Sequence, residues 1–258
     1  MSDIKPFKGL LPKPEFANIV ASPPYDVLSS AEAKEMVKEN PYSFLNVIKP
    51  EITFESLDGV STDDLHYKGK ENLHRLISDG YLNASVQESY YIYQQEYKGH
   101  VQTGVVLGAS VSEYQTGKIK KHEFTRPDKE NDRARHIELV GANTGPVFLT
   151  YKQSVDIDVF IESNIQSEPY FAFTADDGVS HRLWQVTEQG EVSKLTELFD
   201  RVPALYIADG HHRSAAAARL KEAHADVDGE AFDYFLAVVF PDNQLNIIDY
   251  NRVLFELN

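Results

Sequence analysis

Short apolar runs alternate with turn-forming residues along the chain, a pattern that predicts a mixture of strands and helices. Strands are predicted where β-branched and aromatic residues cluster, at residues 43–49, 90–97, 101–111, 147–151, 170–174, 181–187, 204–208, 232–240 and 245–250. Three successive pairs of these runs are separated by short polar turns, at residues 98–100, 176–178 and 241–243, which are typical of hairpins. We therefore expect sheets that are largely antiparallel.

Helical spacing and capping residues predict five helices between these strands. The first begins at the capping sequence 29–32 and ends before Pro41, and the others cover residues 63–79, 132–140, 155–165 and 214–225. Five prolines before residue 28 favour an extended segment laid over the surface. The elements together predict an α+β fold of mixed, largely antiparallel sheets with flanking helices. We expect a β-rich N-terminal α+β region, residues 1–200, and a strand–turn–helix–hairpin region, residues 201–258, in the same or a following domain.

Composition narrows the functional classes. The chain has 258 residues, 42% of them hydrophobic, which is enough for a substantial core. Its formal charge of −15 opposes binding to a phosphate backbone and disfavours nucleic acid as a partner. The absence of cysteine excludes disulfides, thiolate metal sites and cysteine nucleophiles. Because the sequence has no apolar run of the ~20 residues that span a bilayer and no signal-peptide core, we expect a cytoplasmic protein acting on a small molecule, in an oligomeric state left open.

The most informative stretch is Asp209-Gly210-His211-His212-Arg213, between the apolar run 204–208 and the alanine-rich run 214–225. A glycine at a strand-to-helix turn lets the backbone approach a ligand, and the free N–H groups and dipole of the helix favour an anion there. The side chains add donors, a proton shuttle and a candidate base or metal ligand. The structural alternative is a helix cap, a core histidine and a surface ion pair. Four such side chains beside one glycine favour a ligand site.

A second polar cluster follows Ile119 and has a simpler alternative, a solvated loop of ion pairs. An apolar strand that leads into the charges favours a functional loop instead. Acid–base candidates in it are Glu123 and Asp128. Candidate groups for binding substrate, phosphate or carboxylate are Lys121, His122, Arg126, Asp128, Lys129 and Arg133, followed by Asn143 and Thr144 in the turn before Val147.

Several of these motifs, taken in order, resemble those of the DUF1015 family. The matching stretches are Pro23-Pro24-Tyr25-Asp26-Val27, Asn40-Pro41-Tyr42-Ser43-Phe44-Leu45, the block from Lys121 to Arg133, Asn143-Thr144-Gly145-Pro146 and Asp209-Gly210-His211-His212-Arg213. The resemblance spans most of the chain. Family members usually extend further, so it implies a C-terminal portion beyond residue 258.

The 209–213 turn also resembles the Gly-x-x-Arg phosphate loop of the ParB and sulfiredoxin superfamily, whose members include free-serine kinases with a similar Asp-Gly-His-x-Arg sequence. The resemblance implies that Gly210, His211, His212 and Arg213 hold nucleotide or pyrophosphate oxygens. It implies that Asp209 orients a hydroxyl group or Mg²⁺. The turn lies near residue 210 rather than within the first hundred residues, so the superfamily's catalytic glutamate has no aligned counterpart. We select Glu123 for that role, with Asp209, His211 and His212 as the other catalytic candidates.

The leading hypothesis is phosphoryl transfer involving a small hydroxylated metabolite, with free L-serine or phosphoserine as the first choice. ATP, ADP or pyrophosphate is the expected donor and Mg²⁺ the expected cofactor. The chain lacks a Walker loop and the protein-kinase motifs, so a nucleotide would be used outside those architectures. One alternative is a metal-dependent hydrolase with Asp209, His211 and His212 as ligands. A non-enzymatic alternative is a nucleotide-sensing, ParB-like binding module.

Overall fold

A computed structural model describes residues 2–226 and 231–247. Its strands, in these ranges, are β1 Ile4–Lys5, β2 Leu10–Pro12, β3 Leu82–Ala84, β4 Tyr90–Tyr97, β5 His100–Ser110, β6 Ile119–Lys120, β7 Val147–Tyr151, β8 Phe171–Thr174, β9 Ser180–Val186, β10 Leu205–Asp209 and β11 Tyr234–Pro241. The helices of the same ranges are α1 Ala17–Val20, α2 Ser30–Val37, α3 Leu45–Ile48, α4 Thr62–Ser78, α5 Val111–Gln115, α6 Pro127–Val140, α7 Val155–Asn164, α8 Gln189–Asp200 and α9 His211–Ala223.

One mixed sheet organises the described residues. Its strands follow the order β6-β10-β7-β11-β5-β4-β9-β8, and β1 pairs with β5 outside this path. The β10–β6 and β11–β7 pairs are parallel, and the sheet's other pairs are antiparallel. The α+β, largely antiparallel prediction is therefore confirmed. Strands from before and after residue 200 alternate in this sheet, since β10 lies between β6 and β7.

Two apolar layers flank the region where the candidate residues lie. The main core joins the sheet to α7 and α8, with Leu107, Leu149 and Phe199 fully buried. Full burial of each such side chain contributes about 1.5–3 kcal/mol. A second cluster joins α1, α3 and α4. At Gly69 a Cβ atom would lie 2.8 Å from the Val47 carbonyl oxygen, so glycine allows α4 to approach α3 closely.

Several local predictions are confirmed. The β4–β5 and β8–β9 hairpins form at the predicted turns. Helix α2 begins with the predicted capping box, in which Ser29 and Glu32 exchange hydrogen bonds. Helix α4 ends before Gly80, and β7 has the predicted bounds.

The strand predicted at 43–49 is wrong. Residues Leu45–Ile48 form α3, with the Lys49 N–H donating to the Leu45 carbonyl at 2.8 Å. All four residues of this helix are buried, and a short apolar run of this kind fits a buried helix as well as a strand. Of the strand predicted at 245–250, residues 245–247 carry no strand and residues 248–250 lie outside the described ranges.

Two helices begin earlier than predicted, and both shifts affect the candidate site. Helix α6 starts at Pro127 rather than residue 132, because proline is well suited to the first helical position. Helix α9 starts at His211 rather than residue 214. Helices α1, α5 and α8 were not predicted, and α1 interrupts the N-terminal segment that was expected to be extended. In the part of the chain that is described, no helix has the length and apolar character needed to cross a bilayer.

Candidate functional site

A cavity of about 1360 Å³ opens between the sheet, the N-terminal segment and α6. This volume exceeds the roughly 300–1,000 Å³ of most small-molecule pockets. One part of its wall is aromatic, with Phe148, Phe171, Phe173 and Phe240. The polar part of its wall includes Tyr25, Arg133, His136, Asn143, Thr144, Gly145, Asp209 and Arg213.

Gly210 turns the chain from β10 into α9 with a left-handed φ of 95°. A Cβ atom at Gly210 would lie 3.0 Å from Arg213 Nε, and one at Gly145 would lie 3.4 Å from Arg213 Nη1. The guanidinium of Arg213 is thus held against two residues that lack side chains. Its Nη2 donates to Asp209 Oδ2 at 2.5 Å. The Arg213 side chain is 15% exposed and that of Asp209 is 65% exposed, so the carboxylate is the more accessible partner.

A second arginine, from α6, occupies the same polar end. Arg133 donates from Nε and Nη2 to Asp132 Oδ2, at 2.9 and 2.5 Å. Its guanidinium carbon lies 4.6 Å from the centre of the Tyr25 ring. Burial raises the pKa of the Tyr25 phenol, whereas the charges of Arg133 and Arg213 both act to lower it. The charges of both guanidinium groups therefore favour the ionised form of the same phenol. Tyr25 was not selected as a site residue, although it lies in one of the motifs quoted above.

The two histidines of the turn face a different part of the protein. His211 is 4% exposed, and its Nδ1 lies 3.4 Å from Glu123 Oε2. The backbone N–H of His122 donates to His211 Nε2 at 3.5 Å. Burial is the main cause of the lowered pKa of His211 and favours its neutral form. The backbone N–H of Arg126 donates to His212 Nε2 at 3.3 Å. The 121–126 segment thus meets the turn.

Other members of the second cluster make local contacts. Lys121 Nζ lies 3.6 Å from the centre of the Tyr114 ring. Arg126 and Asp128 pair with each other at 2.7 Å on the exposed surface, and Lys129 is exposed. Six candidates of this cluster lie outside the described wall of the cavity: Lys121, His122, Glu123, Arg126, Asp128 and Lys129. Gly210, His211 and His212 of the 209–213 turn are not on that wall either.

The turn after α6 contributes Asn143 and Thr144 to the cavity wall. Thr144 Oγ1 lies 3.1 Å from Nε2 of the buried His136, and His136 in turn contacts His66 of α4. Neither histidine was among the site residues predicted from the sequence. The available signal was the four-residue spacing of Asp132 and His136, which places both on one face of α6.

The hydrolase hypothesis needs Asp209, His211 and His212 to converge on one metal ion. Asp209 pairs with Arg213, His211 contacts Glu123, and His212 accepts from the 121–126 segment. Within residues 2–226 and 231–247, no group of three or more His, Asp or Glu side chains is arranged to hold a metal ion. Mg²⁺ commonly takes only one or two protein carboxylates, and substrate phosphates supply further ligands. Asp209 supplies one carboxylate on the cavity wall, and Asn143 lies on the same wall.

Comparison with curated proteins and with solved structures gives no match. A match to a known family covers residues 4–258, nearly the whole chain. That family is described as "Protein of unknown function (DUF1015)". Because the match includes the cavity wall, the 121–126 segment and the 209–213 turn, this chain belongs to the DUF1015 family.

Proposed function

We propose that this protein transfers a phosphoryl group to or from a small hydroxylated metabolite, with free L-serine or phosphoserine as the first candidates. The observation that carries the proposal is the placement of Arg133 and Arg213 at one end of a large cavity, beside Tyr25. Phosphoryl transfer depends mainly on positioning and on neutralising charge at the transferred group, and paired guanidinium groups provide both.

Each arginine retains donors for a phosphate. A guanidinium has five N–H groups. Asp209 occupies one N–H of Arg213, and Asp132 receives bonds from two nitrogens of Arg133. The remaining guanidinium donors suit a phosphate at this end of the cavity. The partner carboxylates hold each guanidinium in a fixed orientation before a ligand arrives.

Asp209 is better placed than Glu123 to act on a substrate hydroxyl. Asp209 lies on the cavity wall with an exposed carboxylate, whereas Glu123 contacts His211 behind the turn. We therefore assign to Asp209 the role of orienting the hydroxyl and accepting its proton. Mg²⁺, when bound, would neutralise phosphate charge, and Asp209 and Asn143 would hold it.

The aromatic wall favours a nucleotide over pyrophosphate as the donor. Phe171 and Phe173 lie on the same cavity as the arginines, and the Phe173 ring continues as a stack with His181, at 4.9 Å between ring centres. Aromatic rings of this kind stack on nucleobases without strong sequence preference. Pyrophosphate alone would leave this apolar part of the cavity unused.

The direct test is a turnover assay with purified protein. L-Serine is incubated with Mg²⁺ and ATP, ADP or pyrophosphate, and phosphoserine is measured by ³¹P NMR in both directions of the reaction. We expect phosphoserine formation with a nucleotide, and a loss of activity on the order of 100-fold or more in Arg213→Met and Arg133→Met. Arg201→Met is the matched control. The Arg201 side chain is 70% exposed, and its ion pair with Asp156 is long, at 3.8 Å between Nη1 and Oδ2. Equal losses in all three variants would contradict the assignment.

The nucleotide-sensing module remains a second candidate because of one feature. The 121–126 segment, which His211 and His212 hold, carries Phe124 with its side chain 99% exposed. A ligand that shifts α9 would move this segment too. In that case ADP or ATP binds without turnover and changes the association state of the protein. Analytical ultracentrifugation would detect this change, and Phe124→Ser is the variant for comparison.

A further inference from the structure

Four polar side chains form a chain from the cavity into the interface of α4 and α6. Thr144 Oγ1 lies 3.1 Å from His136 Nε2, and His136 Nδ1 lies 3.3 Å from His66 Nδ1. His66 Nε2 is buried without a hydrogen-bond partner and lies 3.5 Å from Oδ1 of Asp132, whose side chain is 33% exposed, so the last link is a contact with a charged oxygen. The two imidazoles are buried, at 2% and 3% exposure. The chain therefore links the cavity wall to a carboxylate near the surface.

The carboxylate determines the direction of every hydrogen bond in this chain. The buried His66 Nε2, which makes no hydrogen bond, faces this carboxylate, and His66 and the charge of Arg133 outweigh burial and hold the pKa of Asp132 well below its usual range. An ionised carboxylate can only accept hydrogen bonds, so a neutral His66 carries its proton on Nε2 and offers Nδ1 as an acceptor. His136 then carries its proton on Nδ1 and offers Nε2 to Thr144. The threonine hydroxyl must donate inward.

We propose that Asp132, His66 and His136 are positioning residues, and that Thr144 determines ligand specificity. With its hydrogen held inside the wall, Thr144 Oγ1 presents only lone pairs to the cavity. It accepts a hydrogen bond from an ammonium or hydroxyl group of the ligand and disfavours a ligand with an acceptor at that place. This inference deepens the proposed function and rests on it for the ligand's identity, but the hydroxyl direction stands independently.

The surrounding charges keep the arrangement in place. Burial, with the neighbouring Arg133 and His66, lowers the pKa of His136 to about 3, so this ring stays neutral at physiological pH. From α4, Asp63 also faces this region, but it is paired with Arg135 at 2.6 Å. The four-residue spacing of Asp132 and His136 on α6 brings both side chains onto His66 of α4.

Ring-nitrogen NMR tests the hydroxyl direction. Histidine is labelled with ¹⁵N, and spectra are recorded at pH 8, where an ordinary imidazole is neutral. His66→Gln and His136→Gln variants assign the two sets of resonances. We expect the Nδ1–H tautomer for His136 and the Nε2–H tautomer for His66. An Nε2-protonated His136 in the wild-type protein would overturn the proposal.

Asp132→Asn should reverse the tautomers of both histidines, which a purely structural role of Asp132 would not do. Arg133 continues to bind the oxygen of residue 132, which turns the new amide NH₂ toward His66. His66 then carries its proton on Nδ1 and His136 on Nε2, so both spectra exchange tautomer. Asp156→Asn removes the same charge from an exposed carboxylate on α7 and should change neither ring. Unchanged tautomers in Asp132→Asn would show that the carboxylate does not set the direction.

Calorimetry tests the acceptor role with two probes, L-phosphoserine and the phosphate ester of 3-hydroxypropanoate, which lacks the amino group. The wild-type protein should bind phosphoserine more tightly, on the order of tenfold, for one charge-assisted hydrogen bond. Thr144→Val should abolish this difference and Thr144→Ser should retain it. A difference that persists in Thr144→Val would overturn the acceptor role. Should the wild-type protein bind neither probe, the proposed function fails, while the ring spectra still decide the hydroxyl direction.

Discussion

Replacing Gly210 by alanine should separate the backbone role of the turn from its role in holding Arg213. Gly210 has φ 95°, a left-handed conformation that costs an L-residue about 1–2 kcal/mol. For a chain of 258 residues this corresponds to a fall in Tm of roughly 2–4 °C. The new Cβ would also lie 3.0 Å from Arg213 Nε, so the guanidinium must move by a few tenths of an ångström. Because a displacement of ~1 Å can cost 100-fold in a positioned site, we expect this smaller displacement to lower phosphoserine affinity by about tenfold.

Gly117→Ala is the matched control for this substitution. Gly117 has a comparable φ of 76°, and no described atom lies within 4 Å of the position of its Cβ. Thermal unfolding should show a similar fall in Tm for both variants, whereas calorimetry should show weaker phosphoserine binding only for Gly210→Ala. Wild-type affinity in Gly210→Ala, with the expected loss of Tm, would refute the argument that the Arg213 position matters for the ligand.

Three further predictions concern stability. His136 has a pKa of about 3 in the folded protein against about 6.5 when unfolded, so the unfolded chain binds more protons between these values and stability falls as pH drops below about 6.5. Between pH 7.5 and pH 5, His136→Gln should lose about 2 kcal/mol less unfolding free energy than the wild-type protein, as measured by urea unfolding. Parallel profiles of unfolding free energy against pH for the two proteins would contradict this prediction. Gly104→Ala should destabilise the protein by about 1–3 kcal/mol, because the new Cβ would lie 2.7 Å from the Val239 carbonyl oxygen. The control is Gly190→Ala, at a helical position where the new Cβ meets no atom within 4 Å, and it should be neutral or stabilising. The fully buried Phe199→Ala should cost about 3–5 kcal/mol, and a loss below 1 kcal/mol in urea unfolding would show that the site collapses around it.

The elements predicted well from sequence were those with a local cause. The β4–β5 hairpin is specified by turn residues between two β-rich runs, and α2 by the reciprocal bonds of Ser29 and Glu32. The failure at α3 has an equally physical origin, since all four of its residues are buried and periodicity cannot choose between a helix and a strand there. The order of the sheet depends on pairings such as β10 with β6, which join distant parts of the chain and leave no local signal.

The same distinction applies to the candidate site. The 209–213 turn could be identified locally, because a glycine and four polar side chains follow an apolar strand. The approach of Tyr25 to Arg133 and Arg213 could not, since it joins residues more than a hundred positions apart in the sequence. Glu123 was chosen for its chemistry, and the tertiary structure then placed it against His211 rather than on the cavity wall.

The strand-to-helix turn at Gly210 explains how one short stretch serves two surfaces. Asp209 ends β10 and Arg213 lies in the first turn of α9, and the left-handed Gly210 brings the two together so that they pair and both border the cavity. His211 and His212, which lie between them, point elsewhere and contact the 121–126 segment. Substitutions at 209 or 213 should therefore act on ligands directly, whereas those at 211 or 212 act through the position of the segment. If the segment responds to a ligand, the rigid start of α9 is the element that transmits the change.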